Sequence, residues 1–370
     1  GPATRAQAAG GVPMAAWEAS EEGREQLLSL FRGSFTATNN TQHRAIQEKL
    51  ASFNSIPDYN NYLVHILVDR AEEDVNVRQM AGLVLKNNIR EHWGQLQPGV
   101  QQYVKERLLE GLRDASVFIR GAVGTCITTA VTAVGVDAWP ELMQLLYAML
   151  DAPDVAHVES AMSTLDKICE DSAEALALQP GQQLLHLLVP KFLQAFGSPS
   201  LTVRKCALGC VNNFVQVMAE AVAANLDAYL QGLFALASDP APDVRKRVCA
   251  ALTLLLDVHV DCLVPHLNQV IEYMLVSTKD PDELVSLEAC EFWSAICETP
   301  VAKQYLQDYL PRLVPVLLDG MVYTELDLVL LGEGDAADEN EEDRPEDIRP
   351  HFHRGKMAGA GGAGGEQAAA

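Results

Sequence analysis

The chain has 370 residues, with 50 acidic against 27 basic side chains and a formal charge of −23; this balance disfavours nucleic acid and anionic lipid as direct partners and favours a basic protein. Its eight cysteines, Cys126, Cys169, Cys206, Cys210, Cys249, Cys262, Cys290 and Cys297, are scattered through apolar phrases without a CxxC pair, which predicts reduced thiols of a cytosolic or nuclear protein and no disulfides. No run of 18 or more apolar residues is free of charge or helix breakers, and the start lacks a signal-peptide core, so neither a membrane span nor secretion is expected.

Residues 1–13 begin with Gly1-Pro2, which resembles a protease scar, and continue as Ala/Gly-rich sequence; they are expected to be a disordered leader, with Met14 the native start. From Trp17 to about Phe31 the residues Leu27, Leu28, Leu30 and Phe31 predict a first helix, and Asn39-Asn40-Thr41 caps a second containing Ile46, Leu50 and Phe53. The second pair begins after Pro57 with Tyr59, Tyr62, Leu63, Ile66 and Leu67, and continues from about Val75 to Trp93. Pro98 opens the third pair, whose long mate starts at Ala115-Ser116 and runs through Val134. The fourth covers Trp139 to Leu150 and Asp154 to Ser172, the fifth Leu184 to Phe196 and Pro199 to Met218. The sixth covers Leu226 to Ala237 and Pro240 to Val258, the seventh Cys262 to Ser277 and Pro281 to Glu298. An eighth first helix spans Tyr305 to Leu318 without a following mate, so the natural protein is expected to be longer.

The second helices share a phrase. A valine or isoleucine recurs at Val77, Ile119, Val158, Val203, Val244 and Val285, spaced 42, 39, 45, 41 and 41 residues apart, and Arg78, Arg120, Arg204 and Arg245 follow directly in four copies. A period near forty predicts an all-α solenoid of about seven and a half HEAT-type helix pairs, each covering its neighbour's apolar face. Beyond Leu331 the sequence is too charged and too poor in apolar residues to bury a core, and 359–370 is Gly/Ala low complexity; a disordered acidic segment over 321–370 is expected.

The run 77–93, VRQMAGLVLKNNIREHW, resembles the amino-terminal signature of the importin-β family, with its R, A, LKN, I and W positions. The phrases 167–174, KICEDSAE, 189–194, VPKFLQ, 233–237, LFALA, 287–293, LEACEFW, and 347–354, DIRPHFHR, are similar to the transportin branch of that family, so the resemblance covers about Trp17 to Lys356. It divides the chain into importin-β-like repeats one and two over 14–93, repeats three to an incomplete eighth over 94–320, and an acidic loop with its tail over 321–370. The resemblance implies a nuclear import receptor that shuttles between cytoplasm and nucleus and binds the Ran GTPase in its GTP state through the concave face of an amino-terminal arch. Cargo with nuclear-localisation signals would be bound by a carboxy-terminal arch absent from this chain, and nucleoporins are allowed for as further partners. No cofactor and no metal are expected. After Arg354 the sequence turns to Gly-Lys-Met-Ala rather than a dense acidic run, which puts the release role of the family's acidic loop in question.

Within that frame Lys86 falls off the packing set of its helix and matches a position the family uses on Ran; the plainer reading is a solvated lysine. Asn87 is a second candidate, or else it satisfies a carbonyl in the seam between repeats. Glu170 and Asp171, with Glu174, and the later set Asp282, Glu283, Glu288 and Glu291 form two acidic clusters able to hold a basic globular protein from both sides, although Asp282 and Glu283 also sit where acids favour a helix dipole. The arginine ladder is read as structural, pairing with acids of adjacent repeats. Asp335, Asp338, Glu339, Glu341, Glu342, Asp343, Glu346 and Asp347 are candidate members of a mobile electrostatic arm or a merely solubilising tail. The signatures HExxH, GxxxxGK[ST] and GxSxG are absent from the sequence, so no enzyme is expected. The competing reading is a generic HEAT scaffold for complex assembly, without preference for a nucleotide state; a thiol-dependent enzyme would need an accessible cysteine of low pKa.

Overall fold

A computed structural model describes residues 17–178 and 181–322, and every regular element among them is helical. The pairs run α1 (Glu21–Thr36) with α2 (Asn40–Ser52), α3 (Tyr59–Asp69) with α4 (Val75–His92), α5 (Pro98–Gly111) with α6 (Val117–Val134), and α7 (Pro140–Met149) with α8 (Val155–Ala177). After them come α9 (Gly181–Ala195) with α10 (Leu201–Val215), the short α11 (Glu220–Ala223), and α12 (Leu226–Leu236) with α13 (Pro242–Leu263). The series ends with α14 (Leu267–Ser277), α15 (Glu283–Glu298), α16 (Ala302–Leu306) and α17 (Leu310–Asp319). Residues to Leu317 form one compact unit, which carries the helices α1 to α16; of the other unit, 318–370, only 318–322 are described.

Six starts have a side-chain cap. The side chains of Ser20, Asn39, Asp74, Asp154, Ser200 and Asp282 accept bonds from first-turn N–H groups of the helices they precede, which satisfies donors that have no partner within the helix. The second helices α4, α6, α8, α10, α13 and α15 pack each on the next in an unbroken row, while α3 on α5 and α9 on α12 join first helices. The predicted apolar sets supply the core: Leu63, Ile66, Leu67, Leu85 and Ile89 in the second pair, and Ile119, Val123 and Ile127 in the third, are fully buried. By contrast α2 packs on α1 and buries none of its own residues.

Four details depart from expectation. α8 continues past its expected end, with a bend at Ser172 (φ −131°, ψ 21°). α13 likewise runs through a bend at His259 into the region expected to open the seventh pair, and α11 is a helix that the periodicity does not predict. The expected eighth helix is two segments, α16 and α17, broken just before Pro311, whose ring cannot donate to, and crowds, the preceding turn. Two stretches, Val117–Val134 and Pro242–Ser277, are long and apolar enough by length and composition to cross a membrane; here Ile119, Val123 and Ile127 of the first and Val248, Leu252, Leu255 and Ile271 of the second are buried in the stack, while Phe118 and Val276 are exposed.

Arg78, Arg204 and Arg245 form the expected ladder. Arg78 pairs with Asp114; Arg204 reaches Asp239 at 2.7 Å and Arg245 reaches Asp280 at 2.8 Å. Each of these aspartates also accepts the N–H two residues on, as in Asp239 with Ala241 at 2.9 Å, so one side chain both caps a turn and ties it to the preceding repeat. Arg120 instead donates to the Asp114 and Ala115 carbonyls.

Close packing at the third pair rests on a glycine. A Cβ on Gly111 would lie 2.8 Å from Val123 Cγ2 and 2.9 Å from Val68 Cγ2. Gly111→Ala is therefore expected to destabilise the stack by about 1–3 kcal/mol through overpacking, read as a lower urea midpoint; an unchanged midpoint would mean that the two valines yield freely.

Candidate functional site

The exposed side of the second-helix row is built by the helical period. In α4 the positions Val77, Arg78, Ala81, Leu85, Asn88 and Ile89 are buried, which leaves Asn76, Gln79, Leu83 and Lys86 along the opposite face. With Phe35 of α1, and with Ala122 and Thr125 of α6, they line an open groove of about 410 Å³. Gly82 forms part of its floor: a Cβ there would lie 3.1 Å from Leu67 and 3.4 Å from Ala122, and its carbonyl accepts the Cys126 thiol at 3.3 Å. Phe35 and Leu83 are 53% and 51% exposed, and Phe118 at the start of α6 is 63% exposed. Lys86 is half-buried, and among the described residues no carboxylate lies within 4.0 Å of its ammonium. A cation beside solvent-facing apolar side chains can make both a charge-assisted hydrogen bond and apolar contact with a protein surface.

The remaining candidates divide. A seam bond, the alternative to partner contact for Asn87, is made by its neighbour: Asn88 is buried and donates to Asn60 Oδ1 of α3 at 3.0 Å, while Asn87 is half-buried. Glu170, Asp171 and Glu174 lie around the bend in α8, with Glu170, Asp171 and Glu174 all facing solvent. Asp282 caps α15, accepting the Leu284 N–H at 3.1 Å and the Val285 N–H at 3.4 Å, and Glu283 is exposed in the first turn, so Asp282 serves the helix first. Glu288 is half-buried; burial pushes its carboxyl up, Lys246 draws it down and Glu291 adds to the rise. Glu291 is exposed. The acidic candidates from Asp335 to Asp347 lie outside the described residues.

Sequence reasoning missed the apolar part of the groove, Phe35 and Leu83, and the exposed Phe118 of α6. Leu83 shares the face of Lys86 and could have been found by asking which leucines of α4 lie off its packing stripe.

Five of the eight thiols are buried and Cys297 is exposed. Cys126, Cys169, Cys206, Cys210 and Cys249 are buried, and burial pushes Cys126 and Cys206 up to about 12, far from the thiolate a nucleophile needs. Among the described residues no three His, Cys, Asp or Glu side chains are placed to hold a metal ion. Trp93, Trp139 and Trp293 are buried as packing residues, and the Trp293 indole donates to Thr278 Oγ1 at 2.9 Å.

Comparison with known proteins adds the family context. The importin-β N-terminal domain family matches residues 46–114. Mouse transportin-1 is 41% identical over 340 residues, 92% of this chain and 38% of the relative. Importin subunit beta-2 of Schizosaccharomyces pombe is 42% identical over 343 residues, with the same coverage. The chain thus spans 38% of the length of these curated relatives. In fold it is similar to importin-β, with a TM-score of 0.65 at 17% identity over 80% of this chain and 38% of that one, and to Kap121p, with 0.63 at 20% identity over 89% and 32%.

Proposed function

Because this chain belongs to the importin-β family, in the branch represented by the transportins, we propose that it is the Ran-binding part of a nuclear import receptor, and that it binds the GTP form of Ran on the exposed side of its second helices. The observation that carries this reading is Lys86: the lysine of the LKN string stands without a carboxylate partner among the described residues, beside the exposed Leu83 and Phe35. The exposed acids Glu170, Asp171 and Glu291 further along the same row, and the charge of −23, favour a basic globular partner and would act mainly on orientation and on-rate. Asp282 and Glu283 are the weaker members, because capping and the helix dipole already account for them.

Among the structural neighbours, Kap95p has been solved with RanGDP, whose switch loops then adopt the GTP-bound conformation, and with Nup1; Kap121p has been solved with Nup53p and with Ste12p. On the proposed reading this chain has a GTPase partner and nucleoporin partners and passes between cytoplasm and nucleus, and cargo recognition belongs to the longer receptor. A partner whose switch loops must be reshaped binds more weakly by the free energy of that reshaping, so discrimination between nucleotide states needs no contact with the nucleotide itself. The role is binding rather than catalysis. Comparing the affinity of this chain for Ran loaded with a GTP analogue and with GDP tests the reading; a generic scaffold would not distinguish them.

A further inference from the structure

Among the described residues, one ion pair on the second-helix face skips a repeat. Arg247 on α13 reaches across α10 to Asp166 on α8, with Nη1 3.2 Å from Oδ1 and Nη2 3.1 Å from Oδ2, and the same Nη1 donates to the Lys205 carbonyl of α10 at 2.8 Å. Its neighbours on this face join adjacent repeats: Lys205 with Asp243 at 2.8 Å from α10 to α13, and Lys167 with Thr125 Oγ1 at 2.9 Å from α8 to α6.

The passage over α10 exists because residue 209 is glycine. A Cβ there would lie 1.6 Å from Arg247 Nη1 and 2.2 Å from Asp166 Oδ1. Glycine inside a helix is less favourable than alanine, so α10 forgoes helix stability at the point where the bridge needs room. The bridge is also anchored behind. The Arg247 carbonyl accepts from Asn212 Nδ2 of α10 at 3.0 Å, and Asn212 Oδ1 accepts the Tyr229 hydroxyl of α12 at 2.7 Å. One network therefore runs through α8, α10, α13 and α12. Arg247 and Asp166 are 31% and 15% exposed, covered enough to resist screening by salt.

A bond between adjacent repeats tolerates a small rotation at its single step. A bidentate bond across two steps has a fixed reach that both rotations together must satisfy. We propose that the Arg247–Asp166 pair, threaded over Gly209, is a latch that fixes the spacing of repeats four to six, so that changes of pitch in the stack are taken up on either side of it.

The test is a distance measurement by pulsed electron spin resonance on the intact chain. Labels are placed on genetically encoded residues at Gln144 of α7 and Ala228 of α12, both exposed, which avoids the native thiols. Arg247→Met and Asp166→Asn are each expected to broaden the distance distribution, with the double variant no broader than either, because the two residues act as one unit. Gly209→Ala should broaden it too. Lys205→Ala, which removes only a single-step pair, should leave it unchanged. Far-UV circular dichroism shows which variants keep their helices, and those alone are scored. An Arg247→Met or Asp166→Asn distribution superimposable on that of the unaltered chain would overturn the latch, as would equal broadening by Lys205→Ala.

Discussion

Truncating Asp239 to alanine is expected to lower the stability of the region around repeats five and six by about 3–5 kcal/mol, the range for removing one partner of a buried ion pair. Asp239 is 7% exposed. Its carboxylate accepts Arg204 Nε at 2.7 Å and Nη2 at 3.0 Å, and also the Ala241 N–H at 2.9 Å, while its carbonyl accepts Arg245 Nη1 at 2.9 Å. The substitution leaves the largely covered Arg204 guanidinium without its counter-charge and uncaps the turn before α13. Asp239→Asn, which keeps an oxygen for the Ala241 N–H, should cost less.

The same pair gives a pH dependence of defined sign. Burial alone would raise the Asp239 carboxyl, but the bonds from Arg204 and the Ala241 N–H, with the charges of Arg204 and Arg245, hold it below its ordinary value. Asp280 is lowered chiefly by its bond from Arg245. A carboxylate lowered in the folded state contributes stability that is present above the unfolded pKa of about 4 and is lost as pH falls through the folded value. The difference between the unaltered chain and Asp239→Ala, measured by urea unfolding, should therefore be large at neutral pH and shrink in acid below that point. A difference independent of pH would assign the loss to packing rather than to the ion pair.

The ladder was legible in the sequence because its parts recur at the repeat period, and so were most helix starts, because capping residues such as Asp154, Ser200 and Asp282 stand where the backbone needs acceptors. What escaped was everything that depends on contact between distant residues. Asp166 and Arg247 are 81 residues apart, and nothing in either phrase marks them as partners; Gly209 reads as an ordinary weak point in a helix until its neighbours are seen. Asn87 and Asn88 are equivalent in composition, and only the angle of α4 against α3 decides which one enters the seam. The break before Pro311 is readable from proline chemistry, but the apolar residues that continue across it mask the signal. The candidate site was half legible: Lys86 is marked by its place in a phrase, whereas the groove beside it needs Phe35, which belongs to another helix.

Lys86→Ala is expected to weaken binding of the GTP form of Ran by about tenfold to a hundredfold, the equivalent of losing one hydrogen bond made by a charged group, about 1.5–3 kcal/mol. Because Lys86 makes no ion pair among the described residues, its removal should leave the urea midpoint of the free chain unchanged, which separates a binding role from a folding one. Leu83→Ala should act in the same direction by trimming the apolar side of the groove, and Lys86→Arg should retain part of the affinity. Equal affinity of Lys86→Ala and the unaltered chain would move the contact away from the groove.

The decisive measurement is a calorimetric titration of the unaltered chain with Ran loaded with a non-hydrolysable GTP analogue and, separately, with GDP. Tighter binding of the GTP-analogue form, with that advantage reduced in Lys86→Ala, is the predicted result; equal affinity for the two nucleotide states, or binding to neither, would contradict the assignment of this surface to Ran.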